Sequence, residues 1–244
     1  MAAADTRPLD DLLTAAQTMA PARGFRRALT NDPALSVVAE IKRRSPSKGD
    51  LNVELDPAFV ASAYARGGAA CLSVLTDAEF FGGAVTDLQA ARAATSVPVL
   101  RKDFTVSAND VVDTRLIGAD CVLLIAAALD KHELIEWHRL AVEVGLDALV
   151  EVHDESELDV AIEAGATLVG VNQRDLVTFE VDHDRAARMA TAIPADVVKV
   201  AESGVRDASD ARRLADAGYD AILVGESLVT AADPAAALAA LRAG

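Results

Sequence analysis

The strongest constraint on this chain is a repeat: eight short runs dominated by Val, Ile, Leu and Ala, separated by stretches with helical spacing. The runs are SVVAEI from Ser36, ACLSVL from Ala70, VPVLR from Val97, DCVLLI from Asp120, DALVEV from Asp147, TLVGVN from Thr167, VVKVAES from Val197 and DAILVGES from Asp220. They lack the in-out alternation of a strand with one wet face, and such continuous apolar runs suit parallel strands covered on both sides. Between them, Leu134, Trp137 and Ala141, or Leu158, Ala161 and Ile162, recur at intervals that place them on one helical face. Five times a glycine stands between the last helical turn and the next run, in ARGGAAC, LIGADC, EVGLDA, EAGATL and DAGYDA. Glycine accepts the left-handed conformation that ends a helix and turns the chain into the next strand.

Eight strands alternating with helices predict a (β/α)8 barrel. The 244 residues suit one such domain covering the whole chain, with residues 1–34 as a short N-terminal helical extension. An open doubly wound sheet shares the alternation, but its first turn carries the G-x-G-x-x-G spacing that cradles a dinucleotide. The segment after the first run reads EIKRRSPSKG and lacks that spacing, which favours the closed barrel.

Charge and composition exclude several functions. A formal net charge of -15 repels nucleic acid and anionic lipid, so neither is expected as a partner. No run reaches the roughly 20 apolar residues of a membrane span. The start MAAADTRPLDD has neither the basic nor the apolar region of a leader, and the expected location is the cytoplasm. Cys71 and Cys121 each sit inside an apolar run, which predicts buried free thiols rather than a disulfide or a metal site. Positive charge is concentrated in KRRSPSK at 42–48 and in RK at 101–102, which leaves a small anionic ligand open, although the default reading of such a run is a solvated surface stretch.

In barrels of this kind chemistry sits at the carboxyl ends of the strands, so the polar residues that end each run are the candidates. Glu40 and Lys42 end the first run, Lys102 the third, Glu151 the fifth, Asn172 the sixth, and Glu202 with Ser203 the seventh. Singly, each fits a rim salt bridge or a helix cap, and for Asn172 and Ser203 that reading is the stronger one. Together, two lysines and three glutamates beside low-dielectric strand ends are costly without a task, and such groups have the tunable pKa values of acid–base chemistry. AESGVRD from Ala201 and LVGESL from Leu223 follow the last two strands with Gly and Ser. Their backbone N–H groups can surround a phosphate, with Gly204 and Gly225 allowing close approach. His132, His138, His153 and His183 show neither metal-ligand spacing nor a triad, so they are read as surface or supporting residues, and no metal or cofactor is expected.

VVAEIKRRSPSKG at 37, LRKDF at 100, ALVEVHDESELD at 148, VGVNQRDL at 169, VAESGV at 200 and VGESL at 224 resemble the signature segments of the indole-3-glycerol-phosphate synthases. The resemblance runs in one register from about residue 20 to the C-terminus, and AEIKRRSPSKG with LRKDF is its most specific part. It implies a small phosphorylated anionic substrate, 1-(2-carboxyphenylamino)-1-deoxyribulose 5-phosphate, converted to indole-3-glycerol phosphate, carbon dioxide and water in tryptophan biosynthesis. It implies Glu40, Lys42, Lys102, Glu151 and Asn172 as the catalytic set, with Ser45 beside them. Glu202, Ser203, Gly204, Gly225 and Glu226 fall in the substrate-binding part, the last through its backbone N–H, and Phe104 and Leu123 line the aromatic ring; for Leu123 plain core packing is nearly as good a reading. On this reading Lys102 is the acid for ring closure, Lys42 holds the departing carboxylate, and Glu151 and Glu40 share the loss of water.

Two further expectations concern the periphery. Residues 43–53 form a polar connection longer than usual and are expected to be mobile. Many family members carry an extra helical segment ahead of the part matching RPLDDLLTAAQTMAP, so the shorter start here is expected to affect substrate affinity and loop ordering. The rival readings are phosphoribosylanthranilate isomerase or a histidine-pathway isomerase, and a shortened non-catalytic paralogue. The isomerases share the late glycine turns but resemble one another in a Cys or Asp at the end of the first strand, where this chain has Glu40 and Lys42. A decayed paralogue should have lost some of the costly charges. A monomer is the expectation.

Overall fold

The computed structural model describes residues 5–175 and 177–243. Its strands are β1 (Ser36–Ile41), β2 (Cys71–Leu75), β3 (Val99–Lys102), β4 (Cys121–Ile125), β5 (Asp147–Val152), β6 (Leu168–Asn172), β7 (Val198–Glu202) and β8 (Ala221–Val224). They close into a barrel in chain order, each parallel to its neighbours. β1 completes the ring by pairing with β2 through Val38 and Cys71 and with β8 through Ser36 and Ala221.

The strands have a periodicity that their sequence conceals. One set of side chains, including Val37, Ala39, Ile41, Leu72, Val74, Val150 and Ile222, packs outward against the helices. The alternate set points into the barrel and includes Val38, Cys71, Leu100, Cys121, Leu123, Leu149, Leu168, Val198, Val200 and Leu223. Both sets are buried, so the sequence reads as unbroken apolar runs. Two residues further along each inward row, several strands change from apolar to polar: Val38 to Glu40, Leu100 to Lys102, Leu149 to Glu151 and Val200 to Glu202. The barrel interior is therefore hydrocarbon below and charged at the mouth.

The surrounding helices are α1 (Leu9–Ala16), α2 (Phe25–Leu29), α3 (Pro57–Gly67), α4 (Val85–Ala94), α5 (Ala108–Leu116), α6 (Lys131–Glu143), α7 (Glu155–Glu163), α8 (Arg185–Met189), α9 (Ala208–Asp216), α10 (Glu226–Val229) and α11 (Pro234–Arg242). Asp56, Asp130, Asp154, Asp207 and Asp233 cap α3, α6, α7, α9 and α11 by accepting from first-turn N–H groups, which gives part of the acidic surplus a structural use. The five glycines between helix and strand, Gly68, Gly118, Gly145, Gly165 and Gly218, all have φ between 80° and 93°. That left-handed turn is the conformation expected from their spacing.

Of the two N-terminal helices, α1 extends the outer layer and α2 closes the other end of the barrel. Leu12 and Ala16 of α1 join the outer core, and α1 packs beside α5. Phe25 and Leu29 of α2 are buried among the inward-facing residues and plug the base. Both cysteines are free and buried in this inner core, where burial pushes their thiols well above the usual range. Among the described residues no helix is long and apolar enough to cross a membrane.

Candidate active site

All thirteen positions singled out in the sequence line one cavity of about 620 Å³ at the carboxyl ends of the strands. At its centre Lys102 Nζ donates to Glu151 Oε2 at 2.7 Å and to Glu202 Oε2 at 2.8 Å. On the opposite wall Lys42 Nζ lies 2.6 Å from Glu40 Oε1. Asn172 Nδ2 donates to Glu151 Oε1 at 2.9 Å, and Ser203 Oγ donates to Asn172 Oδ1 at 2.8 Å. A single hydrogen-bonded chain thus runs from Ser203 through Asn172, Glu151 and Lys102 to Glu202, across four strand ends.

The electrostatics of this chain are uneven. Burial pushes Glu202 up, Lys102 pulls it down, and Glu151 and Glu40 push it up again, leaving it at about 7. Burial acts the same way on Glu151, but there Lys102 and Asn172 prevail and its carboxyl is held low. Burial alone would lower Lys102, yet Glu151, Glu202 and Glu40 raise it overall, so it stays protonated. One ammonium shared by two carboxylates separates their proton affinities, the pattern that assigns acid and base roles. Glu202 Oε1 is buried without a hydrogen-bond partner among the described residues and packs against Gly170, where a Cβ would collide with it. Glycine in the middle of β6 makes room for that carboxylate.

Ser203 and Gly204 both have positive φ, 65° and 77°. For serine this is strained backbone of the kind found at functional sites. Gln173, buried, holds it there by donating to the Ser203 carbonyl at 2.8 Å. The Ser203 hydroxyl is committed to Asn172. Gly225 has φ −119°, so its role is not a left-handed turn. A Cβ there would lie 2.4 Å from Glu40 Oε1 and 3.2 Å from Lys42 Nζ, and its absence accommodates the Lys42–Glu40 pair. Glu226 opens α10 and pairs through its carboxylate with Lys48 at 3.4 Å.

The positive charge differs from the sequence reading in an instructive way. Arg101 follows strand alternation away from Lys102 and donates to Thr114 on α5 and to Asp103. Arg43 pairs with Asp87 on α4, and Arg44 donates to the carbonyls of Ala78 and Glu79. Of the two basic segments only the lysines, Lys42, Lys48 and Lys102, line the cavity, joined by Arg174 and Arg206 from the sixth and seventh loops. The connection 43–53 is a small hairpin, Arg44–Ser45 against Gly49–Asp50, tied down by these arginine contacts.

The sequence profile of the indole-3-glycerol phosphate synthases matches residues 1–241. The chain belongs to the indole-3-glycerol phosphate synthase family. Indole-3-glycerol phosphate synthase of Parafrankia sp. is 54% identical over 207 residues, 85% of this chain and 77% of that protein. The synthase of Mycolicibacterium gilvum is 50% identical over 222 residues, 91% of this chain and 82% of its own length. Solved structures share the barrel at low identity. A 3-hexulose-6-phosphate synthase superposes with TM-score 0.68 at 19% identity, covering 86% of this chain and 99% of that one. Thiamine phosphate pyrophosphorylase from Pyrococcus furiosus gives 0.64 at 18%, covering 86% and 95%. Family membership makes the chain a carboxy-lyase of tryptophan biosynthesis acting on a small phosphorylated substrate, and decides against the isomerase readings.

Several synthase residues of the cavity were not legible as such. Phe81 faces the same space as Phe104 and Leu123, and Arg174, Phe179, Val181, His183 and Arg206 complete the wall. They come from loops, where no strand periodicity fixes direction; the one available signal was their position just after a strand end. The histidine reading needs one correction: His138 is neither at the surface nor beside the cavity, but buried on α6, where burial holds its pKa below the usual value.

Proposed function

We propose that this mouth closes the indole ring of 1-(2-carboxyphenylamino)-1-deoxyribulose 5-phosphate, with loss of carbon dioxide and water, and that the residues of the hydrogen-bonded chain carry the proton transfers. The observation that supports this reading best is Lys102, protonated and suspended between Glu151 and Glu202. As the ring carbon bonds to the ketone carbon, Lys102 gives its proton to the ketone oxygen. Glu202, at about 7, holds a proton that can restore the ammonium. Lys42, on the facing wall, steadies the carboxylate until carbon dioxide departs and the ring regains aromaticity. Glu151, kept ionised, takes the proton in the loss of water, and Glu40 with Lys42 serves the leaving hydroxyl.

The phosphate sits against the backbone N–H groups of Gly204, Gly225 and Glu226, with Ser45 and Lys48 on the near side. Phe104, Phe81 and Leu123 receive the aromatic ring. Every one of these groups comes from one barrel, so the site needs no second copy and a monomer suffices, and the two buried thiols suit the reducing cytoplasm.

Adding the substrate to the purified protein and following indole fluorescence tests the reading. Lys102→Ala is expected to lose about 10²–10⁴ in turnover while still binding a substrate analogue. Lys102→Arg is expected to restore little, because guanidinium keeps the charge and does not release its proton near neutral pH. Near-native turnover in Lys102→Ala, or recovery in Lys102→Arg, overturns the acid role.

A further inference from the structure

The charges at the mouth do not balance among the groups named so far. Glu40 has Lys42 to itself, whereas Glu151 and Glu202 share Lys102. The next titratable group is His153, two residues beyond Glu151 on the same inward row. Its imidazole is largely buried, with Nε2 3.6 Å from Glu151 Oε1 and Nδ1 3.1 Å from Glu157 Oε2. Glu157, in the first turn of α7, is itself fixed by the His153 backbone N–H at 2.7 Å.

The ring is therefore clamped between two carboxylates, one on each nitrogen. Each neutral tautomer would turn a lone pair toward one of them; the imidazolium alone presents an N–H to both. Nε2 is buried and makes no hydrogen bond among the described residues, and Glu151 Oε1 lies 3.6 Å from it. We propose that His153 is a positioning residue that works as an imidazolium, acting through Glu151 to keep that carboxylate ionised and turned toward Lys102 and Asn172. The proposal rests on the assignment of Glu151 to the chemistry.

The surrounding charges support this direction. Burial alone would lower the imidazole pKa, but Glu157 and Glu151 outweigh it, against opposition from Arg185 on the neighbouring α8, and the result is raised. Asp154, the α7 cap, also feels the His153 charge. The arrangement relays through one carboxylate: Glu157 holds the proton on His153, and His153 offsets the charge that Lys102 must otherwise divide between Glu151 and Glu202.

The test is the pH dependence of kcat/KM in His153→Asn and Glu157→Gln, alongside an NMR titration of the His153 ring. Losing a positive charge this close should raise the proton affinity of the Glu151–Glu202 pair, moving the acid limb upward by about one unit or more in His153→Asn. Glu157→Gln, which leaves the ring in place, should move it the same way by less. The His153 ring should titrate above the ordinary histidine value in the native enzyme and fall in Glu151→Gln. A merely structural role would lower stability and leave the acid limb where it is. Superimposable acid limbs in both variants, or a ring already neutral at pH 6, overturn the proposal. Native turnover in Glu151→Gln would overturn instead the assignment beneath it, and that outcome is read separately from the ring titration.

Discussion

The two ends of the barrel both bury carboxylates and use them differently. At the base, Asp120 is completely buried, and its oxygens accept from the backbone N–H groups of Arg23 and Val99 and from the Arg92 guanidinium. Asp147 and Asp220, also at strand starts, accept from the backbone of Arg26 and Lys199. These acids stitch the N-terminal extension and neighbouring strands together, and their lone pairs are spent on fixed amide donors. At the mouth Glu151 and Glu202 compete for one flexible ammonium, and an oxygen of Glu202 has no partner. Satisfied acids hold a fold; acids left short of donors keep the freedom to exchange protons.

The sharpest way to break this contrast is at the base. Asp120→Ala should cost about 3 kcal/mol, since it leaves two backbone donors and an arginine without their acceptor. The shift should appear in the urea midpoint with turnover per folded molecule unchanged, and a loss of turnover at native stability would contradict the division. At the mouth, Gly225→Ala should lower kcat by about 10–100-fold, because its Cβ would displace the Glu40–Lys42 pair. A rise in KM alone would return Gly225 to a purely phosphate-binding role, the one its sequence context suggested.

The last test sharpens the comparison through pH. Glu202 is raised to about 7 in the folded enzyme, above the ordinary glutamate value of 4.5. The folded state therefore binds the extra proton between those values, and Glu202 takes stability away as pH rises through that window. Glu202→Gln should remove this loss, gaining stability over the native protein more at pH 8 than at pH 5 in parallel denaturant titrations. An equal difference at both pH values would place Glu202 among the satisfied acids.

Much of this was legible in the sequence, and the reasons are physical. Strand alternation ties the side-chain direction of Glu40, Lys102, Glu151 and Glu202 to the apolar residue two positions earlier, so each run carried both the barrel and its polar rim. Gly68 and its four counterparts were legible because a left-handed turn has few alternatives to glycine. Net charge in a segment carried no direction: Arg43, Arg44 and Arg101 belong to the basic segments weighed as an anion site, yet they turn to α4, loop carbonyls and α5, Arg101 by strand alternation itself. Arg174 and Arg206, in loops, had no periodicity to place them. Gly225 was legible as a point of close approach, but not that its missing Cβ also makes room for Glu40, distant in sequence by most of the chain.

The plug formed by Phe25 and Leu29 has a kinetic consequence. With hydrocarbon packed from α2 up to Leu123 and Leu149, the cavity has a floor closed by the described residues. On the proposed reading, carbon dioxide, water and the indole product leave through the mouth by which the substrate enters, beside the hairpin of residues 44–50. On that reading carbon dioxide has no exit through the base, and its departure shares the rim with that of the indole product.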